Sequence, residues 1–174
     1  MTTSGQKACI VIDHMVEALG KDPSSSIRRA LILVDIDQHP GTTQTAVMER
    51  MGINKSALNR EVDWLFNYGC IMFNDNAVDG RSKAMNVCGY SKKHIDSALN
   101  YCGESHENLK FFLKNTAKTL KQDKPTLRDA KIVASLFEKQ EADKQLILEN
   151  LYGKPTSTDN RAYNKLVETG VIEE

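Results

Sequence analysis

The sequence predicts a mainly α protein: a winged helix-turn-helix with a small β-hairpin wing, a long connecting helix, and a C-terminal three-helix unit. Three observations point there. Residues 54–69 read as a polar helix entrance that becomes amphipathic and stops at Gly69. Two short strand patterns, 70–73 and 83–88, then flank a polar tip holding Asp79, Gly80 and Arg81. Helix, glycine, strand, basic turn, strand is the layout that offers one helix to a major groove and one hairpin to the neighbouring backbone. Finally, the punctuation of the helix-turn-helix recurs near the C-terminus.

The elements follow in order. Residues 6–19 carry apolar Ile10, Met15 and Leu19 and end at Gly20, a first helix expected to make a dimer or core contact within segment 1–24. Serines in the turn at 21–26 can cap an apolar helix over 27–37, which His39, Pro40 and Gly41 stop. Thr42 or Thr43 caps a short helix with Ala46, Val47 and Met51 inward, and Gly52 ends it. Asn54 caps the third helix. There Leu58, Val62 and Leu65 step by four and three to face the core, which leaves Lys55, Ser56, Asn59 and Arg60 outward. The winged-helix domain spans 25–90. Over 91–122 a heptad seam from Ile95 through Leu99, Cys102, His106, Leu109 and Leu113 to Leu120 predicts one long helix, weakened locally by Gly103. A Thr126/Asp129 capping pattern opens a helix over 126–140 in the last segment, 123–174.

Sliding the chain against itself by 101 residues aligns 46–71 with 147–172 and gives seven identities in 26 positions. Chance gives about one or two. The identities include Gly52/Gly153, Asn59/Asn160, Arg60/Arg161, Leu65/Leu166 and Gly69/Gly170. A second helix-turn-helix without a wing follows, with Thr156, Ser157, Asn160 and Arg161 as a second DNA or protein contact. Shared punctuation of any small three-helix unit is the competing explanation.

Composition bounds the function. With 174 residues, 26% charged and 40% hydrophobic, the chain suits one domain or two small ones and is neither disordered nor membrane-embedded. No apolar run approaches the roughly 20 residues of a membrane span, and no secretory signal core opens the sequence, so a cytoplasmic protein is expected. Cys9, Cys70, Cys88 and Cys102 lack metal-ligand spacing and read as reduced thiols; a redox role for Cys9 or Cys102 would need exposure and a lowered pKa. No phosphate loop, HExxH or nucleophile elbow is present, so neither an enzyme nor a bound cofactor is expected. Net charge is zero, yet 42–93 carries seven basic and five acidic residues while 126–174 carries seven and nine. Positive character lies where DNA binding needs it.

Residues Asn54, Lys55, Ser56, Arg60, Leu65, Gly69, Cys70 and Ile71, with the wing triplet Asp79, Gly80 and Arg81, resemble the MarR family of winged-helix regulators over residues 25–95, about 40% of the chain. The resemblance implies a homodimer joined by N- and C-terminal helices, the third helix in the major groove, and Arg81 at the minor groove or its phosphates. Met72, Phe73 and Asn74 stand where the family often carries basic residues, and the C-terminal part is longer than usual.

The expected DNA-binding residues are therefore Thr43, Gln44, Asn54, Lys55, Ser56, Asn59, Arg60, Arg81 and Lys83. Each has a plainer reading as a cap, a turn stiffener or a solvated face. Trp64 and Phe66 read as packing, and His106 as a polar register marker or a pH switch. The expected function is sequence-specific double-stranded DNA binding by a dimeric transcriptional regulator. Two alternatives are a plasmid or phage replication or partition factor with tandem helix-turn-helix units, and an adaptor whose winged helix binds a polymerase or another protein; the C-terminal unit is a further candidate contact for a protein partner.

Overall fold

The computed structural model describes residues 1–75, 82–139 and 143–173. Among them the order is α1 Ser4–Ala18, α2 Ile27–Gln38, α3 Gln44–Met51, α4 Lys55–Asn67, β1 Ile71–Asp75, β2 Lys83–Val87, α5 Gly89–Asn100, α6 His106–Thr119, α7 Leu127–Glu138, α8 Lys144–Glu149 and α9 Ser157–Glu168. No helix among these residues is long and apolar enough to cross a membrane. Asp79, Gly80, Arg81, Gln140 and Glu174 lie outside the described residues.

α1 starts at a capping box, where Thr3 accepts from the Gln6 amide and the Gln6 side chain accepts from the Thr3 amide. Its Met15, Ala18 and the following Leu19 are fully buried, because α1 packs against α5 on one side and α7 on the other. Of the two roles expected for it, the core contact is the one seen. At its start a Cβ on Gly5 would sit 2.8 Å from the Glu138 backbone nitrogen, so glycine is what lets α1 and α7 approach this closely.

α2, capped by Ser26, is the central rod around which α3, α4, α6 and the hairpin pack, with Ile27, Ala30, Ile32, Leu33, Val34 and Ile36 fully buried. It also buries two carboxylates. Asp35 receives Arg50 from α3 and Lys110 from α6, and Asp37 receives His106 from α6. Burial alone would raise the Asp35 pKa, but the hydrogen bonds and charges of Arg50 and Lys110 outweigh it and hold the carboxyl below its usual range.

Thr43 caps α3, and Gly52 ends it in the left-handed region at φ 64°. Asn54 then caps α4. The hairpin pairs Ile71 with Val87 and Phe73 with Met85. Thr42 adds a one-residue third strand to it: the Met85 N–H donates to Thr42 O at 2.8 Å, and the Gly41 N–H donates to Met85 O at 3.0 Å. That stitch joins the base of the wing to the start of α3.

The continuous helix expected over 91–121 is two helices. Gly103 at φ 65° and Glu104 at φ 56° turn the chain, and Ser105 caps α6. The apolar spacing is real, since Ile95, Leu109, Leu113 and Leu120 are all buried. Its partners differ along the length: α5 packs on α1 and α6 on α2, which one straight rod would not satisfy. His106 consequently sits at the first position of α6, with Nε2 2.8 Å from Asp37 Oδ2, rather than in a seam. Phe66 is also not core packing: it is 50% exposed and tilts against Phe73 of the wing.

The C-terminal unit repeats the first one in its hydrogen bonds. Cys70 N–H donates to Leu65 O at 2.8 Å and Val171 N–H to Leu166 O at 2.9 Å, 101 residues apart. Gly69 and Gly170 share positive φ values of 71° and 67°, and Leu65 and Leu166 are equally buried. Residues 126–173 thus form a three-helix unit of the same pattern, and no strand follows it among the described residues.

Candidate nucleic-acid interface

The exposed face of α4 begins at its cap. The Asn54 side-chain oxygen accepts from the Ala57 amide at 2.8 Å, so that oxygen is occupied in starting the helix. Lys55, Ser56 and Arg60 are exposed, as is Asp63 one turn further on. Asn59 departs from the expected outward face: it is only half-exposed, and its Oδ1 is enclosed with no hydrogen-bond partner. The 100° step per residue sets it at the flank of the face and leaves Ser56, Arg60 and Asp63 central on the open side. Thr43 spends its hydroxyl on capping the Ala46 amide, and Gln44 is half-exposed beside it. On the wing, Lys83 is exposed, with its ammonium 6.0 Å from the Phe73 ring centre. Arg81 belongs to the residues not described.

In α9, Thr156 and Asp159 form a capping box, so the Thr156 hydroxyl is occupied. Asn160 donates to Thr156 O at 3.1 Å, while Ser157 and Arg161 are exposed. Burial alone would raise the Asp159 pKa, but hydrogen bonds from Thr156 and Arg128 more than offset it and hold the carboxyl below its usual range. The Asp159 charge is therefore consumed inside the unit.

Residues that sequence reasoning missed lie between the two units. A cleft of about 400 Å³ separates α4 from the start of α7, lined by Arg28, Arg29, Arg60, Glu61, Trp64 and Lys124 among others. Arg29 donates to Glu61 at 2.7 Å and lies 3.9 Å over the Trp64 ring, whose other neighbour is the stacked Tyr68. A second cleft of about 240 Å³ is lined by Lys124, Arg128, Thr158, Arg161 and Lys165. The only sequence signal for this was the Arg60/Arg161 identity at offset 101, because the arginines and lysines of α2 and α7 read individually as ordinary surface charge.

Burial pushes the thiols of Cys9 and Cys102 above the ordinary range, the reverse of what a redox sensor needs. Among the described residues no three His, Cys, Asp or Glu side chains converge as a metal site would. No family model matches the chain, and neither a curated protein nor a solved structure does.

Proposed function

We propose that this chain binds double-stranded DNA sequence-specifically through its winged helix and acts as a transcriptional regulator. The observation that supports the reading is α4 itself. It is a capped helix with Lys55, Ser56 and Arg60 exposed, preceded by the short α3 and followed by a hairpin stitched to α3 through Thr42. In this reading α4 enters the major groove, Arg60 meets a guanine edge or a phosphate, and the wing with Lys83 lies on the flanking backbone. Asp63 on the same face disfavours loose, sequence-independent binding, since a carboxylate gains only where a base edge donates to it. The resemblance to MarR regulators over 25–95 points the same way.

Arg60 forms no ion pair among the described residues, so Arg60→Ala removes a recognition group and leaves the fold intact. Fluorescence anisotropy on a duplex selected from a random pool should show binding weakened by about 1–3 kcal/mol, roughly 5- to 150-fold. Unchanged affinity would refute the role given to α4. A second reading, a protein-binding adaptor, is favoured by Phe111 and Phe137, which are 68% and 77% exposed. It predicts that no selected duplex emerges from the pool.

A further inference from the structure

The chain carries an internal two-fold. Ser26 and Thr126, the caps of α2 and α7, face each other in an antiparallel bridge. The bonds around them are reciprocal: Ile27 N–H donates to Pro125 O at 2.9 Å, and Leu127 N–H donates to Ser25 O at 3.0 Å. Reciprocity of this kind marks an isologous contact, in which one patch meets its own counterpart across a dyad. Each unit then ties its first helix to its third through arginine, by Arg28 at 3.2 Å and Arg29 at 2.7 Å on Glu61 in the first and by Arg128 on Asp159 at 2.7 Å in the second.

We infer that a single chain engages a single duplex through both units, α4 on one half-site and α9 on the other, with the α2/α7 seam lying across the phosphates between them. This deepens the DNA reading above and rests on it.

Three features carry the inference. First, both third helices turn equivalent positions to the seam. Arg60 and Trp64 line the cleft beside α4, and their counterparts 101 residues on, Arg161 and Lys165, line the one beside α9. Second, the two clefts share Ser24, Lys124 and Thr126, so they form one continuous saddle rather than two separate hollows. Third, the charge left over in that saddle is positive. Glu61 is held by Arg28 and Arg29, Asp159 by Arg128, and Asp129 by the Thr126 cap. Arg60, Lys124, Arg161 and Lys165 form no ion pair among the described residues, and Asp123 is the one carboxylate of the saddle without a partner there. Four free cations against one carboxylate is a phosphate-tracking surface, whatever the net charge of the chain. The acids that make the C-terminal unit negative, Asp143, Glu149 and Glu168, line neither cleft.

The inference also accounts for α1. In the dimers that the MarR resemblance implies, terminal helices join two subunits. Here α1 is buried between α5 and α7 and joins the connecting segment to the second unit within one chain.

The test uses the full chain and a duplex selected from a random pool. Sedimentation should give one chain per duplex, and hydroxyl-radical footprinting should give two protected patches about one helical turn, roughly 10 base pairs, apart. Arg161→Ala and Lys165→Ala should each weaken binding at least tenfold and erase one patch, and Arg60→Ala should erase the other. Lys124→Ala should keep both patches and lower the slope of log affinity against log salt by about one. All four side chains are exposed, so unchanged thermal melts will confirm native variants. The inference is overturned if two chains occupy each duplex. It is also overturned if Arg161→Ala and Lys165→Ala bind and protect like the parent while Arg60→Ala fails, which leaves the α4 reading standing. Should Arg60→Ala bind like the parent, or no duplex be selected, the DNA reading falls and this one falls with it.

Discussion

Asp35 decides how α3 and α6 are held to α2, and Asp35→Asn tests it. The residue is 1% exposed, yet its carboxylate accepts Arg50 Nε at 3.1 Å, Arg50 Nη2 at 2.7 Å and Lys110 Nζ at 2.9 Å. One buried charge therefore pins α3 and α6 to α2. Removing one member of a buried pair costs about 3–5 kcal/mol when the other charge is left dry. Arg50 is 31% exposed and can rehydrate, while Lys110 at 13% is more confined, which brings the expected loss to about 2–4 kcal/mol. For a chain of this length 3 kcal/mol lowers Tm by about 6–12 °C. The pH dependence has a definite sign. The folded pKa of Asp35 lies below its unfolded value of about 3.9, so its contribution is present above that value and is lost as pH falls through the folded pKa. Urea denaturation of parent and variant at pH 7 and at stepwise lower pH should show a gap of 2–4 kcal/mol that narrows below about pH 4. A gap absent at pH 7, or one that widens in acid, would refute this account of the network.

Two further substitutions have signs set by backbone geometry. Gly5→Ala should destabilise by about 1–3 kcal/mol in a thermal melt, because its Cβ meets the Glu138 backbone at 2.8 Å and outweighs the gain in helix propensity; a stabilised variant would deny the close α1/α7 approach. Glu104→Gly should stabilise by up to about 1 kcal/mol in urea, since Glu104 sits at φ 56° where an L side chain is strained. A continuous helix through this point predicts the opposite sign, a loss of about 1 kcal/mol.

Local patterns were legible wherever one periodicity met one partner. Leu58, Val62 and Leu65 point inward as their spacing requires, and the caps at Asn54 and Thr126 are where the polar residues predict them. The seam from Ile95 to Leu120 was misread because hydrophobic period records which face is buried, not against what. Gly103 was visible as a weak point, but the turn it permits is decided by α1 and α2, more than 60 residues away in sequence. The single-residue readings suffered in the same way. Asn54 and Thr156 are polar, exposed and well placed, yet the Asn54 oxygen and the Thr156 hydroxyl are spent on capping their own helix. Lys124, Arg128 and Lys165 looked like scattered surface charge until the Ser26/Thr126 bridge brought them to one saddle. Long-range pairing of two loops leaves no local trace in the residues that do the pairing.

The two-fold is imperfect, and its imperfections have consequences for recognition. The caps of α2 and α7 are 100 residues apart, whereas the turn glycines Gly52 and Gly153 and the terminal glycines Gly69 and Gly170 are 101 apart, so one residue has entered the second unit around α8. Separately, α9 is capped by Thr156 and α4 by Asn54, so α9 starts one residue later relative to its turn glycine. At the seam itself Trp64 is held between Arg29 and Tyr68, while its counterpart Lys165 is a free cation. The first unit ends in a hairpin, and none follows the second among the described residues. On the two-half-site reading, α4 with its wing supplies shape and base contacts, and α9 with Lys165 supplies mostly phosphate contacts. The half-sites would then differ in sequence demand, strict on the α4 side and tolerant on the α9 side, and the chain would have one orientation on its duplex where a symmetric dimer has two.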